Sequence, residues 1–202
     1  WLPRGKRRPK YVVTRRMDYP EPRTWYTSCL YNRRVDGVVA ISHTIAQLLR
    51  GAGVDQDKIR WISSGIDPGA FVIVPTRGAS SDDVTVVGCL AGLEARKGHQ
   101  YLLEAVALLK TEGVKVRCQI AGDGPLRAQL EAEVDRLGLR EEVRFLGFIT
   151  DTAAFFTGVD LSAMPSLYEG LGVAALEAMA AGKPVVATRV GGLTESVLDG
   201  VT

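Results

Sequence analysis

The chain has little of what metal and redox chemistry require. Its two histidines, His43 and His99, are too few and too far apart for a metal site made by protein ligands alone. Its three cysteines, Cys29, Cys89 and Cys118, are odd in number and widely spaced in apolar or strand-like contexts. That pattern fits buried thiols in a reducing compartment better than disulfides. No stretch approaches the ~20 apolar residues of a membrane-spanning helix, and no apolar run follows the basic start, so a secretory leader is not expected. The expected location is therefore cytoplasmic, with peripheral contact at the inner face of a membrane left open. No strand candidate leads into a Gly-x-Gly-x-x-Gly turn with an acidic residue at the right distance, which weighs against a dinucleotide-dependent oxidoreductase. Gly170 and Gly172 form only a Gly-x-Gly pair. The chain opens on Trp1 rather than Met and reads as a fragment.

Its 202 residues suffice for one good core, or for one and a half domains. The net charge of +2 conceals an asymmetry: residues 1–34 hold ten Lys and Arg against two Asp and Glu, whereas the rest hold fifteen against twenty-one. A basic segment of that kind suits an anionic membrane surface or a phosphorylated acceptor, and it equally suits a plain solvated face. It carries no recognition motif for nucleic acid, and none is expected as a partner.

Apolar runs alternate with helical patterns along the chain. Strands are expected at Tyr11–Thr14, Val38–Ile41 and Ile59–Ile62, with helices over 24–34 and from Ser42, as N-cap, to Arg50 and Gly51. The breaker-rich crossing from Ser63 to Gly69 and the polar loop over 78–83 divide the chain into a first lobe (1–63), a linker (64–83) and a second lobe (84–202). In the second lobe strands are expected at Thr85–Leu90, Lys115–Ala121, Val143–Leu146, Val159–Met164 and Val185–Thr188. Helices are expected at His99–Thr111, at Pro125–Leu137 with the proline in the first turn, and at 151–157. This alternation predicts an α/β fold, a doubly wound parallel sheet of Rossmann type preceded by part of a second α/β lobe.

The most informative stretch runs from Pro165 to Pro184. Glycines 170 and 172 free the backbone to turn, an Ala-, Leu- and Met-rich helix follows, and Gly182 stops it. A glycine turn feeding a helix N-terminus presents unpaired amides and the positive end of the helix dipole, a natural seat for phosphate. Glu169 lies in the turn and Glu177 further along the helix. Carboxylates suit sugar hydroxyls, so the combination points to a phosphate flanked by hydroxyl-bearing groups, as in a nucleotide sugar. Two solvated glutamates beside a plain turn account for the spacing equally well.

This stretch resembles the Glu-x7-Glu signature of retaining glycosyltransferase family 4, the group 1 glycosyl transferases of GT-B fold. Ser64-Gly65-Ile66-Asp67, Arg96-Lys97-Gly98, Ala121-Gly122-Asp123-Gly124-Pro125, Phe145-Leu146-Gly147-Phe148 and Gly191-Gly192-Leu193-Thr194-Glu195 resemble further motifs of that family in the same order. The resemblance implies that the second lobe binds a nucleotide-sugar donor, such as a UDP- or GDP-sugar, and that the first takes a glycan, lipid-linked or lipopolysaccharide-type acceptor. Transfer would retain anomeric configuration and use neither metal nor cofactor. Lys97 would neutralise the leaving diphosphate and Glu169 would hold the donor sugar, as the catalytic residues. The backbone of Gly170, Leu171, Gly172 and Val173 would receive the distal phosphate, Glu177 would accept from the ribose, and Gly147, Phe148 and Ile149 would border the base, though Phe148 also suits a plain core position. Asp123 and Gly124 would shape a turn, and Glu195 would cap its helix. The family's usual arginine upstream of Lys97 falls here at Gly92, so Arg96 is the remaining candidate for a second cation. That departure keeps a non-catalytic nucleotide-sugar-binding module, or an inactive fragment, as the alternative. Compared with that family, the chain is expected to lack most of the acceptor lobe before Trp1 and the closing elements after Thr202, in which case no interlobe cleft forms.

Overall fold

A computed structural model describes residues 9–19, 22–71 and 84–201. The basic residues 1–8, Pro20, the polar loop over 78–83 and most of the expected linker lie outside them. The chain divides into two compact units, Trp1–Ser64 and Gly65–Thr202.

In the first unit β1 (Val12–Arg15), β2 (Gly37–Ala40) and β3 (Ile59–Trp61) form a parallel sheet in the order β1-β2-β3, with Val13, Val38 and Ile59 side by side. Helix α2 (His43–Gly51) starts as its sequence dictates: Ser42 Oγ accepts from Ile45 N at 3.2 Å. It buries Ile45, Ala46 and Leu49 against the sheet, where Val38 and Ala40 are fully buried. The single helix expected over 24–34 is two pieces. Helix α1 (Trp25–Cys29) is capped by Thr24, and a π-helical turn, Leu30–Arg34, continues it. Lys58 Nζ serves carbonyls at the end of that turn, lying 2.5 Å from Asn32 O and 2.8 Å from Val35 O.

The second unit contains β4 (Thr85–Leu90), α3 (His99–Thr111), β5 (Val116–Ala121), α4 (Arg127–Arg136), β6 (Val143–Gly147), α5 (Thr152–Thr157), β7 (Leu161–Met164), α6 (Val173–Ala180), β8 (Val185–Ala187) and α7 (Leu193–Ser196). Its strands are parallel in the order β6-β5-β4-β7-β8. Counted within the unit this is 3-2-1-4-5, the order of a doubly wound nucleotide-binding sheet. Alternate residues of β4 face opposite ways. Val87 and Cys89 pack with Leu102, Leu103, Val106 and Leu130 of α3 and α4, while Val86 and Leu90 pack with Phe155, Phe156 and Ala178 of α5 and α6. Helices therefore cover both faces.

The start of α4 differs from expectation. Pro125 lies in the turn before the helix rather than in its first turn. The amide of Leu126 is drawn to Leu93 O (3.1 Å) in the loop after β4, and the helix begins only at Arg127. Of the cysteines, Cys89 and Cys118 are buried free thiols and Cys29 is half-buried. Burial pushes the Cys89 thiol up to about 12, with Lys97 pulling the opposite way.

Candidate functional site

The reversal of strand order falls between β4 and β7, and in such sheets ligands bind beyond the carboxyl ends of the strands at that point. Two loops leave the sheet there. After β4 the chain passes through a 3-10 turn, Ala95–Lys97, into α3. After β7 it runs from Pro165 to Gly172 and into α6. The loops are bound to each other by backbone: Leu167 N donates to Arg96 O at 2.8 Å. Gly98, at φ +65°, brings its α-carbon so close that an added Cβ would sit 2.0 Å from Pro165 O; only glycine fits. On the other side Gly192 N donates to Glu169 O (2.8 Å), and a Cβ at Gly192 would meet Gly170 O at 2.2 Å. The backbone of Glu169 is therefore fixed from two directions.

This clamp makes a buried ion pair. Lys97 Nζ lies 2.5 Å from Glu169 Oε2, and the two side chains are 13% and 11% exposed. Ser166 Oγ, in a 2% exposed residue, is 3.4 Å from the same oxygen. Thr188 Oγ1, just past β8, donates to Ser166 O at 2.5 Å and ties that loop to the next strand. Glu169 stands just ahead of α6, whose first amides lack helical acceptors by construction. The arrangement sets a cation, a carboxylate and a helix N-terminus at one sheet edge. Phosphate oxygens suit the first and third, and hydroxyls suit the second.

The other expected residues are more scattered. Gly170, Leu171, Gly172 and Val173 lead directly into α6, with Leu171 buried. Glu177 lies on α6 and hydrogen-bonds Thr152 on α5; burial holds its carboxyl above the usual range, the Thr152 bond acting the other way. Arg96 does not join the Lys97–Glu169 pair. Its Nε is 2.7 Å from Glu94 Oε2. Phe148 is 78% exposed, so it is not a core residue, whereas Ile149 packs on the cluster of Phe155 and Phe156. Both follow β6, two strands or about 10 Å along the edge from β4. Asp123 shapes its turn by accepting from Gly124 N at 2.8 Å. Glu195 lies in the first turn of α7, where a carboxylate suits the positive end of the helix dipole, and Gly192 precedes that helix with no side-chain cap bond. Among the described residues, no group of His, Cys, Asp and Glu could hold a metal ion.

Sequence reasoning missed Ser166, Thr188 and His99. The two hydroxyls flank quoted motif residues, and their signal was position alone. His99, first in α3, is 2% exposed with neither ring nitrogen hydrogen-bonded among the described residues. Burial, reinforced by the Lys97 charge, holds its pKa down at about 4.

Comparison with known proteins agrees with this fold. Residues 84–202 match the family described as glycosyl transferases group 1. The chain belongs to that family. It is 33% identical over 176 residues to the 2-deoxystreptamine glucosyltransferase of Streptomyces kanamyceticus, covering 82% of this chain and 46% of that protein. It is 34% identical to the lipopolysaccharide core biosynthesis glycosyltransferase LpsE of Rhizobium meliloti, covering 99% and 57%. Among solved structures, Anabaena Alr3699/HepE in complex with UDP and glucose superposes with a TM-score of 0.77 at 30% identity, over 87% of this chain and 50% of that one. A glycosyltransferase from Rickettsia africae shares the fold, with a TM-score of 0.80 at 23% identity, over 96% and 55%. The chain thus spans about half the length of these family members.

Two predictions follow from the pair and its surroundings. Lys97→Met removes the cation from a buried carboxylate and is expected to lower unfolding free energy in urea by about 3 kcal/mol. Lys97→Met with Glu169→Leu recovers most of that loss, and strictly additive effects would contradict the pairing. His99 is neutral when folded but takes up a proton when unfolded, so between its ordinary pKa near 6.5 and about 4 the unfolded chain binds the extra proton. Stability therefore falls as pH drops through that window. The His99 share, of order 2 kcal/mol between pH 7 and pH 4.5, is expected to vanish in urea titrations of His99→Leu.

Proposed function

We propose that this chain carries the donor-binding part of a glycosyltransferase. It would move a sugar from a UDP- or GDP-sugar to a glycan, lipid-linked or lipopolysaccharide-type acceptor. The observation that supports this reading is the buried Lys97–Glu169 pair beside the start of α6, at the switch point of a doubly wound sheet. Relatives point the same way: Alr3699/HepE holds UDP and glucose, and LpsE acts in lipopolysaccharide core biosynthesis.

In this reading the diphosphate takes Lys97 and the amides from Gly170 to Val173, and the donor sugar's hydroxyls take the carboxylate of Glu169. Lys97 then offsets the charge that grows on the leaving diphosphate, the kind of interaction that is usually the largest catalytic contribution. Glu177 accepts from the ribose and exchanges its Thr152 bond for that contact. Phe148 and Ile149 border the base. Retention of configuration, without metal or cofactor, is what the resemblance to family 4 implies. Residues 1–34 would touch an anionic membrane from the cytoplasmic side, with no nucleic acid involved.

A second reading, a nucleotide-sugar-binding module without turnover, is favoured by one observation. Residue 92 has no side chain and the Arg96 guanidinium is tied to Glu94, which leaves Lys97 to face the diphosphate with less help.

Calorimetric titration of UDP-glucose and GDP-glucose into this chain tests the reading. One base series is expected to bind in the micromolar range, and Glu177→Ala to weaken it about tenfold to a hundredfold through loss of charged hydrogen bonds. Absence of binding by either series would overturn the assignment. Binding that survives Glu177→Ala unchanged would overturn the role given to that residue.

A further inference from the structure

We propose that the outer face of α1 and of the π-helical turn after it is an anionic-membrane docking surface. This rests on the reading of residues 1–34 as membrane-facing, and narrows it to residues whose placement the structure describes. Trp25 is 81% exposed, Tyr26 63% and Leu30 39%, while Thr27 and Tyr31 on the opposite side are buried. Arg23, Arg33 and Arg34 are exposed around them. None of these arginines pairs with a carboxylate among the described residues. From Pro22 to Val35 the chain has three arginines and no acidic residue.

That composition fits one surroundings best. Tyrosine and tryptophan rings, apolar with one polar atom, settle at the headgroup level of a bilayer. Arginine stems lie along apolar surface and carry their charge outward to phosphates. Rings and guanidinium groups side by side on one exposed face suit the headgroup layer of an anionic bilayer. The rings of Trp25 and Tyr26 meet edge to face, 6.2 Å apart at 88°, and so present two faces rather than a packed stack. An open groove of 430 Å³ runs along the same helix between Trp25 and Arg33, floored by Ser28 and Asn32, with room for a phosphate headgroup beside the guanidinium. The inner face is already anchored, since the Asn32 amide is bonded to Gly53 O and Asp55 N at 2.9 Å, so docking requires no unfolding. Among the described residues no helix is long and apolar enough to cross a membrane, and attachment here is by surface contact.

The test is flotation of the full chain with vesicles of phosphatidylcholine alone or with 30% phosphatidylglycerol, alongside quenching of tryptophan fluorescence by brominated lipid. Binding is expected only to the anionic vesicles and to weaken with salt. Arg33→Ala with Arg34→Ala should weaken it about thirtyfold, at about fivefold per arginine near the surface. Quenching should be lost in Trp25→Phe, while circular dichroism and urea midpoints stay those of the unaltered chain. No binding to anionic vesicles would overturn both this assignment and the membrane reading of residues 1–34. Binding that persists in the arginine variant, with quenching retained in Trp25→Phe, would keep the membrane reading, move the contact to the basic start of the chain, and overturn the surface proposed. Equal binding to neutral vesicles, or a concentration-dependent dimer blocked by Trp25→Phe, would also overturn it.

Discussion

A lysine and a glutamate held 2.5 Å apart in a mostly dry crevice require a backbone that cannot drift, and much of the second unit serves that requirement. The crevice is there because strand order reverses between β4 and β7. Gly98 lets the β4 loop touch the carbonyl of Pro165, and Gly192 lets the last helical segment touch that of Gly170. Ser166 and Thr188 then link the carboxylate's loop to the neighbouring strand. Below lie Cys89 and His99, both buried, and both held in their neutral forms by that burial. Charges above such a floor interact strongly with each other and with any ligand that replaces the water between them.

In the proposed reading the pairing also sets what a donor must do. A diphosphate arriving at Lys97 meets a cation that already has a partner, so the anion's gain is the difference between two attractions rather than one attraction in full. In the proposed reading a nucleotide sugar would bring hydroxyls for Glu169 as well as phosphate for Lys97, and so satisfy both partners at once. That complementarity favours the complete donor over inorganic phosphate.

Much of this was legible in the sequence because it rests on local chemistry. The limits of β4 and α3 follow from apolar runs, and the Ser42 cap follows from a hydroxyl preceding an apolar-periodic helix. Glu169 and Lys97 could be named, but spacing along the chain gave no sign that they touch across 72 positions. Two departures share a cause: a group distant in sequence took up a backbone partner near a helix end. Lys58 took carbonyls at the end of the segment expected as one helix over 24–34, and Leu93 took the amide just ahead of α4. Exposure was equally hidden. Phe148 suited the border of a base and a core position alike, and its exposure excludes only the second.

The central claim is that the Lys97–Glu169 pair and the start of α6 form one donor seat. Nuclear magnetic resonance of the nitrogen-labelled chain during titration with UDP-glucose tests it most directly. The account predicts that the Lys97 side-chain ammonium and the Gly172 and Val173 amides shift together, with one affinity, and that the Lys97→Met variant loses the shifts at α6. Shifts confined to another part of the sheet, such as the groove along β8 between Val185 and Gly200, would contradict it.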